Sequence, residues 1–210
     1  AIAMLDKLLE IQPTAERESL LGSAYKRLVM IEGRAAGAQS GARRGRAGNR
    51  AAGERLEALR AMALHYGNAE RLARAVDADN LFYPAKNGIS AELRLAFLER
   101  RPAELAVDRL RAVQESLARA ATESPDFWSV VGRIELRVLE AVAAQKLADE
   151  SSALIAAFRD LKARVPAKSM WDSVHSEARF TLEPYQGIAS AAEQRAARAL
   201  LDALATMASA

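Results

Sequence analysis

The feature that most constrains this fold is the spacing of its apolar residues, which recur every three or four positions along almost the whole chain. That period places them on one face of a helix, whereas a half-buried β-strand needs strict alternation of apolar and polar residues. No stretch of strand length alternates in this way. Ala, Leu, Arg and Glu, all strong helix formers, are abundant. The sequence therefore predicts an all-α protein.

Proline, glycine and capping residues divide the pattern into about nine helices. Ser124 can cap a helix whose first residue is Pro125, because the missing N–H of proline costs nothing there. By the same argument Pro102 begins a helix, while Pro184 stops one. The predicted ranges are 2–11, 14–32, 54–76, 81–99, 102–121, 125–147, 150–164, 168–182 and 188–207.

Residues 33–53 break this pattern. They hold six of the eleven glycines and five arginines, with no acidic residue. Such a segment offers little apolar area to offset the entropy lost on ordering. The formal charge of +3 belongs to this segment, because the rest of the chain has a slight acidic excess. We expect one domain over 1–210 with a flexible Gly/Arg-rich insertion at 33–53.

The composition argues against several classes of chemistry. There is no cysteine, and His65 and His175 stand in no cluster with ligand spacing, so packing or hydrogen bonding is expected of them. No catalytic pair, nucleophile elbow, P-loop or dinucleotide fingerprint is present. We expect no enzyme activity, no cofactor and no metal. The absence of cysteine and of long apolar runs suits a soluble, cytoplasmic protein without membrane contact.

A small residue recurs along the long helices. Gly88 and Gly132 are 44 residues apart, and Gly22 precedes Gly88 by about the same distance once 33–53 is set aside. Trp128 and Trp171 are 43 residues apart. Amphipathic helix pairs cannot bury their apolar faces without neighbours, so a repeat of this length predicts stacked pairs that approach closely at glycine. The aromatic residues at helix starts are expected in the interhelical core: Phe82, Tyr83, Phe127, Trp128 and Trp171.

Two stretches resemble parts of the tetratricopeptide pattern, which has Trp, Leu and Gly at its first, fourth and fifth positions and Tyr three residues later. The resemblance implies antiparallel helix pairs stacked as a tetratricopeptide-like α-solenoid. The repeat is longer than the usual 34 residues, so HEAT-like repeats stay open on period alone. The matching residues are Trp128, Val131 and Gly132, and Leu21, Gly22 and Tyr25.

Four short motifs carry a more particular resemblance: Leu21–Arg27, Asp79–Asn87, Pro125–Trp128 and Met170–Val174. Together they resemble the TRAFs-binding tetratricopeptide domain of apoptosis-signal-regulating kinases and its bacterial relatives, over most of residues 14–182. The resemblance implies a regulatory docking and oligomerisation platform beside an effector domain such as a kinase or a caspase-like peptidase. This chain departs from it by carrying no effector domain and by its Gly/Arg-rich segment.

The leading hypothesis is a protein-interaction or regulatory scaffold, with homo-oligomerisation left open. In the tetratricopeptide register, polar residues of two repeats face a concave surface. Because arginine forms bidentate hydrogen bonds with carboxylates, an acidic peptide or helix is the expected partner. The candidate partner-binding residues are Ser19, Ser23, Lys26 and Arg27 in the first repeat, and Ser129, Arg133 and Arg137 in the third.

The alternative is a nucleic-acid-binding helical repeat. Clustered cations bind phosphates through counterion release without any sequence readout. The segment holds no aromatic residue for base stacking, however, and the remaining surface is not net basic. Nucleic-acid contact is the less favoured interpretation, and its candidate residues are Arg43, Arg44, Arg46 and Arg50.

Overall fold

The computed structural model describes residues 2–38, 46–76 and 80–209. Within these ranges it contains nine α-helices and no β-strand, and where helices adjacent in the sequence pack on each other they run antiparallel. The all-α prediction is confirmed. The helices are α1 Ile2–Ile11, α2 Ala15–Ala38, α3 Arg46–Val76, α4 Phe82–Glu99, α5 Val107–Glu123, α6 Phe127–Ala143, α7 Leu147–Arg164, α8 Lys168–Gln186 and α9 Ala191–Ser209.

The helices group into two compact units, Ala1–Ala91 (unit 1) and Glu92–Ala210 (unit 2). In unit 1, α2 packs along α3 and α1 lies against α2. In unit 2, α6 contacts α5 and α7, and α9 packs against both α7 and α8. The stacking of helix pairs into one solenoid domain stays a prediction.

The interface of α2 and α3 is the centre of unit 1. A Cβ atom added at Gly22 would lie 2.9–3.0 Å from three ring carbons of Tyr66, whose side chain is only 1% exposed. The Tyr66 hydroxyl is 2.8 Å from Ser23 Oγ, which fixes the ring at its other end. Glycine is therefore required here because an aromatic side chain, rather than a backbone, occupies the space.

Gly132 meets its neighbour differently. An added Cβ would lie 2.9 Å from a methyl group of Leu117 on the preceding helix, α5, whereas Gly22 meets the following helix. Both glycines lie at tight contacts, but a side chain rather than the predicted neighbouring backbone fills the space, and the two do not hold equivalent positions in a helix pair.

The aromatic core of unit 2 centres on Trp171. This fully buried ring makes edge contacts with Phe127 and Phe158, and its Nε1 donates a hydrogen bond to the Val165 carbonyl at 2.7 Å. The core prediction was wrong for Trp128, which is 44% exposed. Phe127 packs against Trp171, and Trp128 is turned about 100° from it around the axis of α6, away from this contact.

In unit 1 the same prediction was also wrong for Tyr83. Its side chain is 46% exposed, while Phe82 beside it is half-buried. The Tyr83 hydroxyl lies 3.2 Å from Ser23 Oγ, so the ring reaches α2 from the surface. Its ring also makes an edge contact with the buried ring of Tyr66, 6.3 Å between centroids, so Tyr83 packs on the core from outside.

Glu193 joins three helices of unit 2. Its carboxylate is buried and accepts hydrogen bonds from the backbone N–H groups of Leu147 and Ala148 at 3.0 and 2.9 Å. It also accepts one from the Tyr185 hydroxyl at 2.7 Å, and burial together with this carboxylate raises the pKa of Tyr185. Lys146, the N-cap residue of α7, makes no capping hydrogen bond with its side chain. Glu193 of α9 accepts the hydrogen bonds that an N-cap side chain would otherwise accept.

Several helix limits differ from the prediction. The N-cap of α6 is Asp126 rather than Ser124, because Asp126 and Ser129 form a reciprocal capping box. Helix α5 begins at Val107, five residues after Pro102. Helix α8 continues past Pro184 to Gln186, where the buried ring of Tyr185 holds the last turn in place.

The predicted insertion at 33–53 is in part helical. Helix α2 continues to Ala38 and α3 begins at Arg46, so only residues 39–45 lie outside the described part of this segment. Alanine and arginine make up much of both extensions, and their helix propensity outweighs that of the interspersed glycines. The flexibility assigned to the remainder stays a prediction.

Among the described helices, none combines the length and apolar character that a transmembrane crossing requires.

Candidate functional site

A groove between α5 and α6 in unit 2 is the candidate site. Its volume is about 430 Å³, and its floor is formed by the buried side chains of Leu117 and Leu136. Charged and polar side chains stand along both rims. The lining residues are Gln114, Glu115, Leu117 and Ala118 from α5, and Arg133, Leu136, Arg137 and Glu140 from α6.

Two contacts fix the register of the walls. Gln114 donates a hydrogen bond to Glu140 at 2.8 Å, and Leu117 packs against Gly132. The antiparallel helices therefore bring Ala118 near the Arg133 end of the groove, and Gln114 and its neighbour near the Glu140 end. Arg133, Arg137 and Glu140 follow one another at spacings of four and three residues, which forms a continuous ridge on α6.

The two arginines of this ridge have different electrostatic surroundings. Arg137 lies 3.6 Å from Glu150 of α7 and acts on Glu140 as well. Arg133 is exposed, and no carboxylate pairs with it in the part of the chain that the structure describes. Burial raises the pKa of Glu140, Glu150 raises it further, and the Gln114 hydrogen bond and Arg137 oppose the shift.

The predicted residues of the third repeat divide between cap and groove. Arg133 and Arg137 are exposed and lie together on the groove. Ser129 is 1% exposed, because its hydroxyl and backbone are engaged in the capping box with Asp126. It therefore presents no hydroxyl to a partner.

The predicted residues of the first repeat are mostly engaged within unit 1. Ser19 is buried, and Ser23 Oγ contacts the hydroxyl groups of two tyrosines. Lys26 Nζ donates to Asn87 Oδ1 at 2.9 Å, so Asn87 links α4 to α2. Arg27 alone is exposed among the four. Partner binding by these residues stays a prediction.

The α5 wall of the groove was missed by sequence reasoning. Gln114, Glu115 and Ala118 carry no motif, and they become a site only through the pairing of α5 with α6. Amphipathic spacing assigns each of them to an exposed face but does not say which helix lies beside it. The close contact expected at Gly132 was the one signal that pointed to this pairing.

The candidates for nucleic-acid contact lie around the start of α3. Arg43 and Arg44 fall outside the described residues, and Arg46 is the first residue of the helix. Arg50 is exposed, and its Nε donates to Glu54 at 2.8 Å. Nucleic-acid contact is not tested by this arrangement.

His65, which was predicted to pack or to form a hydrogen bond, contacts a carboxylate in unit 1. His65 Nδ1 lies 2.7 Å from Glu18 Oε2, and the imidazole stacks on the ring of Tyr25 with 5.5 Å between centroids. Asn68 donates to the other carboxylate oxygen at 3.2 Å. Across residues 2–38, 46–76 and 80–209, no three side chains of His, Asp or Glu come together as metal ligands.

Comparison with known proteins identifies no relative. No protein-family model, no curated protein and no solved structure matches the chain.

Proposed function

We propose that this chain is a non-catalytic protein-interaction module, a regulatory scaffold that binds a segment of a partner protein in the α5–α6 groove. The observation that supports this most is the groove itself, in which the two arginines predicted to bind a partner border an apolar floor. Its volume of about 430 Å³ falls at the lower end of the range for ligand pockets, about 300–1,000 Å³.

The chemistry of the groove suits a peptide. Most of the exposed lining of the groove is apolar and can contact an apolar side chain, while the arginines on the rim supply orientation and long-range attraction. The rim carries two arginines and two glutamates, and its Arg133 end, which no glutamate lines, favours an acidic group of the partner. The resemblance to TRAFs-binding domains suggests the same kind of role, a cytoplasmic docking platform with tetratricopeptide-like helices. The proposal does not depend on that resemblance.

Charge reversal tests the proposal. The purified chain is immobilised, and proteins captured from the source cells are compared with those captured by the Arg133→Glu/Arg137→Glu variant. Arg159→Glu is the matched control, because Arg159 is an exposed arginine of unit 2 that does not line the groove. We expect at least one partner to be lost from the double variant and retained by the control.

Lys26 is left out of this test. It is half-buried and bonded to Asn87, so its reversal would disturb unit 1 and mimic a loss of binding. Circular dichroism of each variant checks that the helices are intact. Equal capture by the wild type and the double variant, with helicity unchanged, would refute the groove as the binding site.

A further inference from the structure

We infer that the groove binds a short segment carrying one carboxylate beside one aliphatic side chain, with the carboxylate held by Arg133 and not by Arg137. This inference rests on the proposed function and names the partner's chemistry at the same groove. It assigns different roles to two arginines that are one helical turn apart.

The positive charge of Arg137 is already balanced by neighbouring acidic side chains. Glu150 lies 3.6 Å from its guanidinium, and Glu140 stands one turn further along the same face. The register also brings Glu115 of α5 toward this end of the groove. A carboxylate approaching Arg137 would meet three acidic side chains, and their repulsion would offset its attraction to one arginine.

Arg133 has the opposite surroundings. The residue near it on the α5 wall is Ala118, which is small and neutral and leaves the guanidinium accessible. No acidic side chain lines this end of the groove. A planar guanidinium can form two parallel hydrogen bonds with one carboxylate, which fixes both its position and its orientation.

The floor determines the second element of the ligand. Leu117 and Leu136 are buried and close the base of the groove, and most of the surface that the groove exposes between its rims is apolar. From Arg133 to Glu140, α6 rises about 10 Å, which is about the length of three extended residues. The carboxylate and the aliphatic side chain must therefore be close neighbours in the partner's sequence.

A peptide array tests this inference. Every tripeptide is displayed between Gly-Ser flanks and probed with the fluorescently labelled chain. We expect the bound spots to be enriched in Asp or Glu combined with Leu, Ile, Val or Met. The Arg133→Gln chain should lose the preference for Asp and Glu, and the Arg137→Gln chain should keep it. No enrichment, or equal loss in both variants, would overturn the inference.

The best peptide from the array then enters a double-mutant cycle by fluorescence anisotropy. Removing the charge-assisted hydrogen bonds should weaken binding about tenfold, whether by Arg133→Gln or by changing the peptide carboxylate to its amide. Because both changes remove the same interaction, the second change should add little to the first. Independent, additive losses would show that the carboxylate binds elsewhere and would overturn the inference.

A steric variant separates this inference from the proposed function. Ala118→Trp fills the groove without changing charge, and the exposed position of Ala118 tolerates a large side chain. Partner capture that is lost in Ala118→Trp but intact in Arg133→Gln would support the groove and overturn the role of Arg133. Capture that survives both Ala118→Trp and the double arginine reversal would overturn the proposed function itself.

Discussion

Replacing Gly22 by alanine should destabilise unit 1, although the same change in a helix is usually favourable. In an open helical position, Gly→Ala stabilises by about 1 kcal/mol, because alanine has the higher helix propensity. At Gly22 the new methyl group would lie 2.9–3.0 Å from the ring of Tyr66. Tyr66 is buried, and its hydroxyl contacts Ser23, so the ring cannot move away without losing a hydrogen bond.

The magnitude follows from comparison with Gly67, which lies within α3 and where an added Cβ would have no atom within 4 Å. The gain in propensity is common to both substitutions and cancels in the difference. Overpacking of a rigid core costs about 1–3 kcal/mol. Gly22→Ala should therefore be less stable than Gly67→Ala by about that amount.

Urea denaturation followed by circular dichroism measures this difference. Gly67→Ala should raise the midpoint slightly, and Gly22→Ala should lower it relative to Gly67→Ala. Adding Gly22→Ala to a Tyr66→Leu variant should cost less stability than adding it to the wild type, because the rigid ring is gone. The reasoning is refuted if Gly22→Ala and Gly67→Ala stabilise the chain equally.

Three further predictions concern unit 2. Glu193→Ala leaves three hydrogen-bond donors without their acceptor, so it should lower the free energy of unfolding by about 3 kcal/mol. A loss below about 1 kcal/mol in denaturant titration would contradict the capping role. Burial lowers the pKa of His175, so the stability it contributes is present above its unfolded pKa of about 6.5 and is lost as pH falls below it. His175→Gln should remove this part of the pH dependence in denaturant titrations above and below that pKa. Burial raises the pKa of Glu140, so its effect on stability has the opposite sign to that of His175. The stability that Glu140 contributes below its unfolded pKa of about 4.5 is lost as pH rises, and Glu140→Gln should remove that loss in thermal melts.

The sequence predicts the number and class of helices well because the apolar period depends on local residues alone. It is less reliable at helix ends. Pro125 and Pro102 are good first residues for a helix, but Asp126 has a better capping partner in Ser129, and α5 begins beyond Pro102. Propensity alone did not decide between these competing local signals.

Which aromatic residue faces inward cannot be predicted from the helix limits. A shift of two residues in the start of α6 does not change the positions of Phe127 and Trp128 in the sequence, but only packing shows which one meets Trp171. The paired glycines have the same limitation. Gly22 and Gly132 both mark close contacts, but the sequence could not show that one meets the following helix and the other the preceding helix.

The groove was only half predictable for a related reason. Arg133 and Arg137 could be identified because helical spacing places them together on an exposed face. Two of the acidic neighbours that distinguish them, Glu115 and Glu150, are brought to Arg137 by the pairing of α6 with α5 and α7. Such long-range register is not encoded in any local pattern.

The cap supplied by Glu193 has a consequence for the dynamics of unit 2. The first amide protons of a helix normally exchange quickly with solvent, because they have no partner within the helix. Those of Leu147 and Ala148 are held by a side chain of α9, so they become free only when that contact opens. Deuterium uptake at these two amides should therefore measure how often α9 separates from the start of α7.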